Sequence, residues 1–518
     1  MGHELELKLS LDEAEMDRLP ACGRLAQADF GTGEPRKLKA TYFDNEANAL
    51  RRRGVMLRLR NEDGRLIQTL KGKKAFGSLA AGRAEYETRV ARNRKTPDLN
   101  RLPGDLKERL TRLLDGSRIE AKFETDVDRT IGLLQTDQGD RIELALDRGV
   151  IRAGRREVGI SELELELKKG NPASLYRLAL ELVETVPMRI GVRSKGERGY
   201  ALANAKGPMP VKGETVRLRK NATAEEALET ILRHCLAHIV ANEPALVDAA
   251  DGEALHQMRV ALRRLRAALD LFHDILEPAM AADLSARAKA LAGALGDARD
   301  LDVFRGELIK PLKEPGAEDI AALDRAAARA QMTAWDSALR TVRARAFTRT
   351  CLTLALYIEE KGWRASADGD PGRAMRLAMP ARKLAARALD KRLKKARQLA
   401  RRIDELQPDE RHELRKRLKS LRYAAGFFSD LYPKKRVRKQ LKRLTRLQDV
   451  FGSLNDLAVA DEIIRDLTGD PTLNEDRVLV ARGAGRVLGW HGAKAEESWA
   501  QARDLWRRFH KAEPFWRG

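Results

Sequence analysis

A chain of 518 residues with 99 lysines and arginines against 77 aspartates and glutamates carries a formal net charge of +22 and only 5% aromatic residues. That length excludes a single ordinary core, the charge asks for a polyanionic partner, and so few aromatics disfavour nucleic acid, whose single-strand readers need stacking platforms. Cys22, Cys235 and Cys351 are odd in number and lack CxxC spacing, and no run of about 18 apolar residues occurs, so a reducing cytoplasm is expected with no disulfide framework, zinc site or membrane partner.

The first predicted element is HELELKL, residues 3–9, in which Glu4, Glu6 and Lys8 share one face of a strand and Leu5, Leu7 and Leu9 the other. The same division recurs down the chain. Arg58 and Arg60 oppose Leu57 and Leu59, and RLIQTLK ends on Lys71. Glu85, Glu87 and Arg89 alternate with Tyr86, Thr88 and Val90, and FETDVDRTI carries Arg129. Glu143 and Asp147 oppose Ile142, Leu144 and Leu146, while Glu162, Glu164, Glu166 and Lys168 oppose Leu163, Leu165 and Leu167. A solvated outer face explains any one of these strands. Acidic pairs recurring beside an arginine pair instead favour an antiparallel barrel with charged faces turned inward. Helices such as DLKERLTRLL and PASLYRLALELV would then cover the aliphatic faces.

The charges specify what would fill such a barrel. Arg58 and Arg60 can engage phosphate bidentately, and Lys8, Lys71 and Lys195 act as point charges. Carboxylates alone would repel that ligand, but they become useful if they hold a hard divalent cation such as Mg²⁺ against phosphate oxygens. Metal-assisted attack of water on a phosphoanhydride is the chemistry that follows.

From 204 to 221, NAKGPMPVKGETVRLRKN interrupts both periodicities, and Thr223 with Glu226 offers a capping box for the first helix of a different half. There the spacing turns helical. His256, Arg259, Arg263 and Arg266 draw a basic stripe beside Leu255, Met258, Leu262, Leu265 and Leu269. His412, Arg415, Lys419 and Arg422 repeat it at an offset of 412 − 256 = 156, and Asp300 and Asp456 recur at the same offset. Two such helices face to face would line one basic groove in a bundle.

These motifs resemble two known families. ExExK at Glu4, Glu6 and Lys8, the LRLR pair, RAEYE, VDR at Arg129, ELALDRG, SELELEL and SKGERGY are similar to the CYTH domain, the triphosphate tunnel metalloenzymes, over residues 1–203. The resemblance implies an α+β domain built on a closed eight-stranded antiparallel tunnel that works with Mg²⁺ or Mn²⁺. Its metal ligands would come from Glu4, Glu6, Glu162, Glu164 and Glu166, and its catalytic set would be Glu4, Glu6, Lys8, Glu85, Glu87 and Asp147. Lys8, Lys39, Arg58, Arg60, Lys71, Arg129 and Lys195 would clamp the triphosphate. The HxxRVxLRRLR and LGxxRDLDV signatures resemble the CHAD domain over residues 222–510, with repeats near 222–370 and 375–510. That resemblance implies an all-α domain of two pseudo-symmetric four-helix bundles binding long-chain inorganic polyphosphate. His256, Arg259, Arg263, Arg264, Arg266, His412, Arg415, Lys416, Lys419 and Arg422 would carry it, with Lys439 extending the track. Tripolyphosphate hydrolysis to pyrophosphate and phosphate is the expected activity. A class IV adenylate cyclase, a thiamine triphosphatase and a non-catalytic polyphosphate scaffold are its rivals.

Overall fold

The computed structural model describes residues 5–31, 34–72, 79–80, 85–365, 369–470 and 476–517. The chain forms two compact units, one of Met1–Pro210, Val240–Ala249 and Arg343–Glu360, the other of Val211–Ile239, Ala250–Val342 and Lys361–Gly518.

The first unit is built on one antiparallel sheet. Its strands are β1 (Leu5–Ser10), β2 (Arg36–Asp44), β3 (Met56–Glu62), β4 (Arg65–Lys71), β5 (Glu85–Arg89), β6 (Glu120–Gln135), β7 (Arg141–Ala153), β8 (Arg156–Lys169) and β9 (Arg189–Ile190). They lie in the order β5-β4-β3-β2-β6-β7-β8-β1-β9. The expectation of a closed eight-stranded barrel is corrected on both counts: among the described residues the sheet has nine strands, and its end strands β5 and β9 are not paired with each other. The physical reason is the brevity of β9, whose two residues pair with Leu9 and Ser10 of β1 and carry no ladder further.

One face of the sheet is aliphatic and covered by helices. On it Leu57 and Leu70 meet Leu110 and Leu114 of α1 (Gly104–Leu114). Leu7 and Leu9 of β1 are fully buried on the same face, where α2 (Ala173–Thr185) packs on β1 and β8 with Leu175, Leu178 and Leu182. Each such leucine contributes about 2 kcal/mol relative to exposure, which fixes the register and so fixes what the opposite face presents.

That opposite face is apolar at one end and charged at the other. At the apolar end Tyr42, Met56, Phe123, Val127, Ile151 and Ile160 pack with Tyr200 of α3 (Lys195–Ala203). Close approach of this helix requires small residues: a Cβ on Gly199 would fall 2.0 Å from Phe123, and one on Gly196 would fall 2.5 Å from Met56 Sδ. A Ser194–Glu197 capping box fixes where α3 begins, and therefore where Lys195 stands.

The second unit is helical. Its elements include α4 (Ala224–Ala249, ending in the first unit), α5 (Gly252–Leu271), α6 (Pro278–Ala294), α7 (Gly296–Val303) and α8 (Glu318–Arg343). After α9 (Arg345–Glu359, in the first unit) come α10 (Ala381–Leu399), α11 (Pro408–Phe427), α12 (Lys434–Gly469) and α13 (Arg477–His510). The sequence offset reappears in the helix starts, since 408 − 252 = 156 for α5 and α11 and 434 − 278 = 156 for α6 and α12. One difference separates the copies: α12 runs unbroken, whereas its counterpart breaks at Leu295 into α6 and α7. Phe304, Ile309, Ile320 and Leu323 share a core with Ala460, Ile464, Val480 and Val487, so the two copies bury apolar surface together.

Candidate functional site

The register carries one charged stripe across the sheet from edge to edge. Lys8 pairs with Glu164 across β1 and β8, Glu162 with Asp147 across β8 and β7, and Asp147 with Arg129 across β7 and β6. On the other side Arg58 of β3 stands opposite Tyr42 and Thr69, and β4 sets Thr69 against Glu87 and Lys71 against Glu85. The sheet curls so that both ends of this stripe line a single cavity of about 530 Å³.

Its floor is a dense ionic cluster. Asp147, Glu162 and Glu164 are buried, and each offers an oxygen within 4.8 Å of the others. Lys195 Nζ contacts all three, at 2.5 Å from Asp147, 2.9 Å from Glu164 and in closer contact with Glu162. Arg129 grips Asp147 with two hydrogen bonds of 2.6 Å and donates a third of 2.5 Å to Glu164. Lys8 joins Glu6 to Glu164. Burial alone would push the Glu164 carboxyl up, but Lys195, Lys8 and Arg129 hold it well below the usual carboxylate range. Lys195 and Arg129 are correspondingly raised, burial being outweighed in Lys195 by Glu162 and Glu164 and in Arg129 by Glu164 and Asp147.

The opposite wall is looser and more positive. Arg58 lies 3.6 Å from Glu85, Arg60 3.4 Å from Glu87, and Lys71 2.7 Å from Glu85. The Nε atoms of Arg58 and Arg60 are buried without a hydrogen-bond partner. Burial and then mutual repulsion from Arg58 depress both Arg60 and Lys71. This wall has the character of an anion site waiting for oxygen acceptors.

Among the sequence-predicted residues, Glu6, Lys8, Arg58, Arg60, Lys71, Glu85, Glu87, Arg129, Glu164, Glu166 and Lys195 line the cavity. Asp147 and Glu162 lie beneath its floor, joined to it through Lys195. Glu4 lies outside the described residues. Glu166 is drawn away from the floor cluster by Lys168, at 2.8 Å. Lys39 is exposed on the other face of β2 from Leu38 and Tyr42, so it is not part of the cavity. Sequence reasoning missed Arg36 and Tyr42 of the same strand. Tyr42 receives a 3.4 Å hydrogen bond from Arg58, and although burial raises a phenol, Arg58 brings this one down.

The donor set suits a hard divalent cation. Three carboxylates with converging oxygens are what Mg²⁺ or Mn²⁺ takes, and none of the softer sulfur or imidazole ligands intrudes.

In the helical unit α5 packs against α11, and their basic stripes influence each other. Lys419 is pushed down to about 7 by burial and then by Arg415 and Arg263, the latter across the repeat. Burial also holds His256 down at about 4, helped by Arg299, so it is a neutral imidazole at physiological pH. The Nε atoms of Arg263, Arg266, Arg415 and Arg422 are buried without a partner. Arg259 lies 3.6 Å from Asp300, and Asn455 accepts 2.8 Å hydrogen bonds from Arg415 and, through the imidazole, His412. Three predicted residues lie elsewhere. Arg264 faces the Gly213–Glu214 segment and the Phe427 ring, Lys416 lines a separate cleft with Lys391 and Lys395, and Lys439 lines another with Arg436 and Arg443.

Family comparison matches the CYTH domain over residues 2–200 and the CHAD domain over residues 230–465. The chain is a CYTH domain followed by a CHAD domain. An inorganic triphosphatase of Haemophilus influenzae is 34% identical over 208 residues, which are 39% of this chain and 56% of that protein. The chain thus matches little more than half the length of that curated relative. The CHAD domain structure from the plant Ricinus communis is similar to the helical region with 28% identity and a TM-score of 0.51, covering 59% of this chain and 98% of its own. A Hippeastrum protein described as a putative adenylyl cyclase with a dominant triphosphatase activity aligns at 15% identity and a TM-score of 0.26, over 39% of this chain and 96% of its own. Among the described residues no helix of this CYTH–CHAD protein is long and apolar enough to cross a membrane.

Proposed function

We propose that this CYTH–CHAD protein hydrolyses inorganic tripolyphosphate to pyrophosphate and phosphate in the sheet cavity, using Mg²⁺ or Mn²⁺, and binds long-chain polyphosphate along the helical basic stripes. One observation carries the reading: a single 530 Å³ cavity lies over a buried tricarboxylate floor and faces a wall on which the Nε atoms of Arg58 and Arg60 lack partners. The relative from Haemophilus influenzae, named an inorganic triphosphatase, supports the choice of reaction.

Asp147, Glu162 and Glu164 would hold the ion, with Glu6 at the edge of the set. The bound ion supplies charge neutralisation at the anhydride oxygens and a polarised water. Arg58, Arg60 and Lys71 orient a terminal phosphate, and Arg129 and Lys8 stabilise charge arising near the floor. Preorganised donors in a site that excludes bulk water lower the barrier by about 3–4 kcal/mol each where one has been removed in comparable enzymes. Leu38, Tyr42, Met56, Ile131 and Val192 also line the cavity, but most of its lining is charged, which suits a bare phosphate chain better than a nucleobase.

In the helical unit we read the paired helix starts as two pseudo-symmetric four-helix bundles whose stripes meet at the axis. A flexible polyphosphate needs a cationic track and no base readout. The cytoplasm, where such polymers and Mg²⁺ coexist with reduced cysteine, is the compartment this reading implies.

The decisive assay offers purified protein tripolyphosphate, thiamine triphosphate or ATP with Mg²⁺ or Mn²⁺ and follows phosphate, pyrophosphate and cyclic AMP. Tripolyphosphate should be cleaved fastest, and Glu6→Ala should slow it severely. Cyclic AMP as the main product, or an undiminished Glu6→Ala, would remove the reading. For the helical unit, polyphosphate should displace DNA of equal charge, and the reverse order would count against it.

A further inference from the structure

Three carboxylates buried together need counterions whether or not a divalent ion is present. In this structure one side chain meets that need at the centre. Lys195 Nζ touches Asp147, Glu162 and Glu164, the same three groups whose oxygens converge within 4.8 Å as the candidate ion site. Among the described residues Arg129 reaches two of the three and Lys8 one. Arg198, from the next turn of α3, reaches only Glu162, at 3.5 Å.

We infer that Lys195 is a built-in stand-in for the metal: its ammonium occupies the tricarboxylate until a phosphate draws it off, so metal and triphosphate load the site together. The inference rests on the proposed metal-dependent reading and deepens it. Lysine is suited to the part, because a compact charge on a four-carbon stem can change partners without moving its backbone. Lys195 also lines the cavity that holds Arg58, Arg60 and Lys71, so phosphate oxygens entering there would offer it new acceptors. An ammonium and a divalent ion cannot share the three carboxylates at contact distance, because like charges that close repel strongly in a buried site. Entry of one therefore requires departure of the other. Metal alone must then displace Lys195 into a cavity already rich in cations, whereas metal arriving with a phosphate chain does not.

The test measures metal binding directly, without turnover. Mn²⁺ is titrated into the full-length protein by calorimetry and by electron paramagnetic resonance, alone and with imidodiphosphate as a non-hydrolysed phosphate probe. Wild type should bind Mn²⁺ weakly alone and much more tightly with the probe. Lys195→Met, which keeps length and loses charge, should bind Mn²⁺ alone about 10- to 100-fold more tightly, the range over which neighbours of metal ligands tune affinity. It should also lose most of the gain given by the probe. Lys195→Arg keeps the charge and should stay weak, which separates charge from packing. Thermal melts show whether each variant is folded, and Lys195→Met should gain more stability from Mn²⁺ than wild type does. Lys195→Met binding Mn²⁺ no more tightly than wild type, while wild type responds to the probe, overturns the stand-in alone. Wild type that binds no Mn²⁺ even with the probe overturns the metal reading and this inference together.

Discussion

The cavity floor and the helical stripes are both crowded with charge, yet they solve the crowding in opposite ways. On the floor every cation has a carboxylate: Lys8, Lys195 and Arg129 share Glu6, Asp147, Glu162 and Glu164, and all three cations are held above their ordinary pKa. Along the stripes burial, and then like-charge repulsion, outweighs the pull of Asp300 and Asp456, and Arg259, Arg415 and Lys419 are pushed down. Partner-free guanidinium Nε atoms occur at Arg263, Arg266, Arg415 and Arg422 on the stripes and at Arg58 and Arg60 on the wall opposite the floor, with a further one at Arg397 of α10. A buried donor left without an acceptor costs about 1–3 kcal/mol, so its presence points to an acceptor supplied from outside. On the proposed function, self-neutralised charge would serve as architecture for a metal and unneutralised charge as a receptor for an anion.

The sharpest way to break this contrast is to unbalance the floor. Glu164→Gln removes the negative charge shared by Lys8, Arg129 and Lys195 and one of the two oxygens that accept from them. Turnover of tripolyphosphate should fall by at least about a hundredfold, the scale seen when one preorganised electrostatic partner is removed. Acid stability supplies the independent check. Because the Glu164 carboxyl is held low in the folded protein, its contribution is present above the unfolded value of about 4.3 and is lost as pH falls through the folded one. The variant should therefore show a flatter acid limb in urea unfolding between pH 5 and 2, and an unchanged limb would mean that Glu164 is not the charge that matters.

The stripes should respond to pH in the opposite sense. Lys419, held down to about 7, faces Arg415 and Arg422 on its own helix, Arg263 on α5 and Asp456 on α12. A polyphosphate laid across it would favour the charged amine, so binding takes up a proton. Affinity should be flat below pH 7 and weaken about tenfold per pH unit above it. Lys419→Arg, which stays charged, should flatten the profile, as read by polyphosphate titrations from pH 6 to 9. His256, held near 4, stays neutral across this range and cannot mimic the effect.

Much of this was legible in the sequence because a period of two is hard to counterfeit. Wherever one face packs under a helix, as Leu7 and Leu9 do, the residues between must face the other way, and Glu6, Lys8, Arg58, Arg60, Glu85 and Glu164 reached the cavity by that logic. The repeat offset was legible for a similar reason, since two helices sharing a core must conserve spacing to conserve packing. What escaped had a local cause. In β2 the residues Tyr42, Phe43 and Asp44 are all inaccessible, so alternation vanishes where the strand is covered on both faces, and Tyr42 was lost with it. β9 is two residues long and has no periodicity to read. Arg264, Lys416 and Lys439 were gathered into the track by composition, whereas a helix of 3.6 residues per turn sends them to other faces.

Lys39 makes the smallest and cleanest test of that geometry. By resemblance it belongs with the phosphate clamp, but it alternates with Leu38 and Ala40, both buried on the cavity side, and stands exposed opposite Asn61 and Asp126 on the outer face. An exposed ammonium separated from the cavity by the sheet is screened by water and salt, so its influence on a phosphate inside is slight. Lys39→Ala should change KM for tripolyphosphate less than about twofold, within the roughly 0.5 kcal/mol of an ordinary surface substitution. Arg60→Ala, on the adjacent strand β3 but on the inner wall, should raise KM by an order of magnitude or more, as loss of a charge-assisted contact does. A large effect at Lys39 would mean that β2 turns its other face to the substrate, and the alternation on which the whole charged stripe depends would have to be shifted by one residue in that strand.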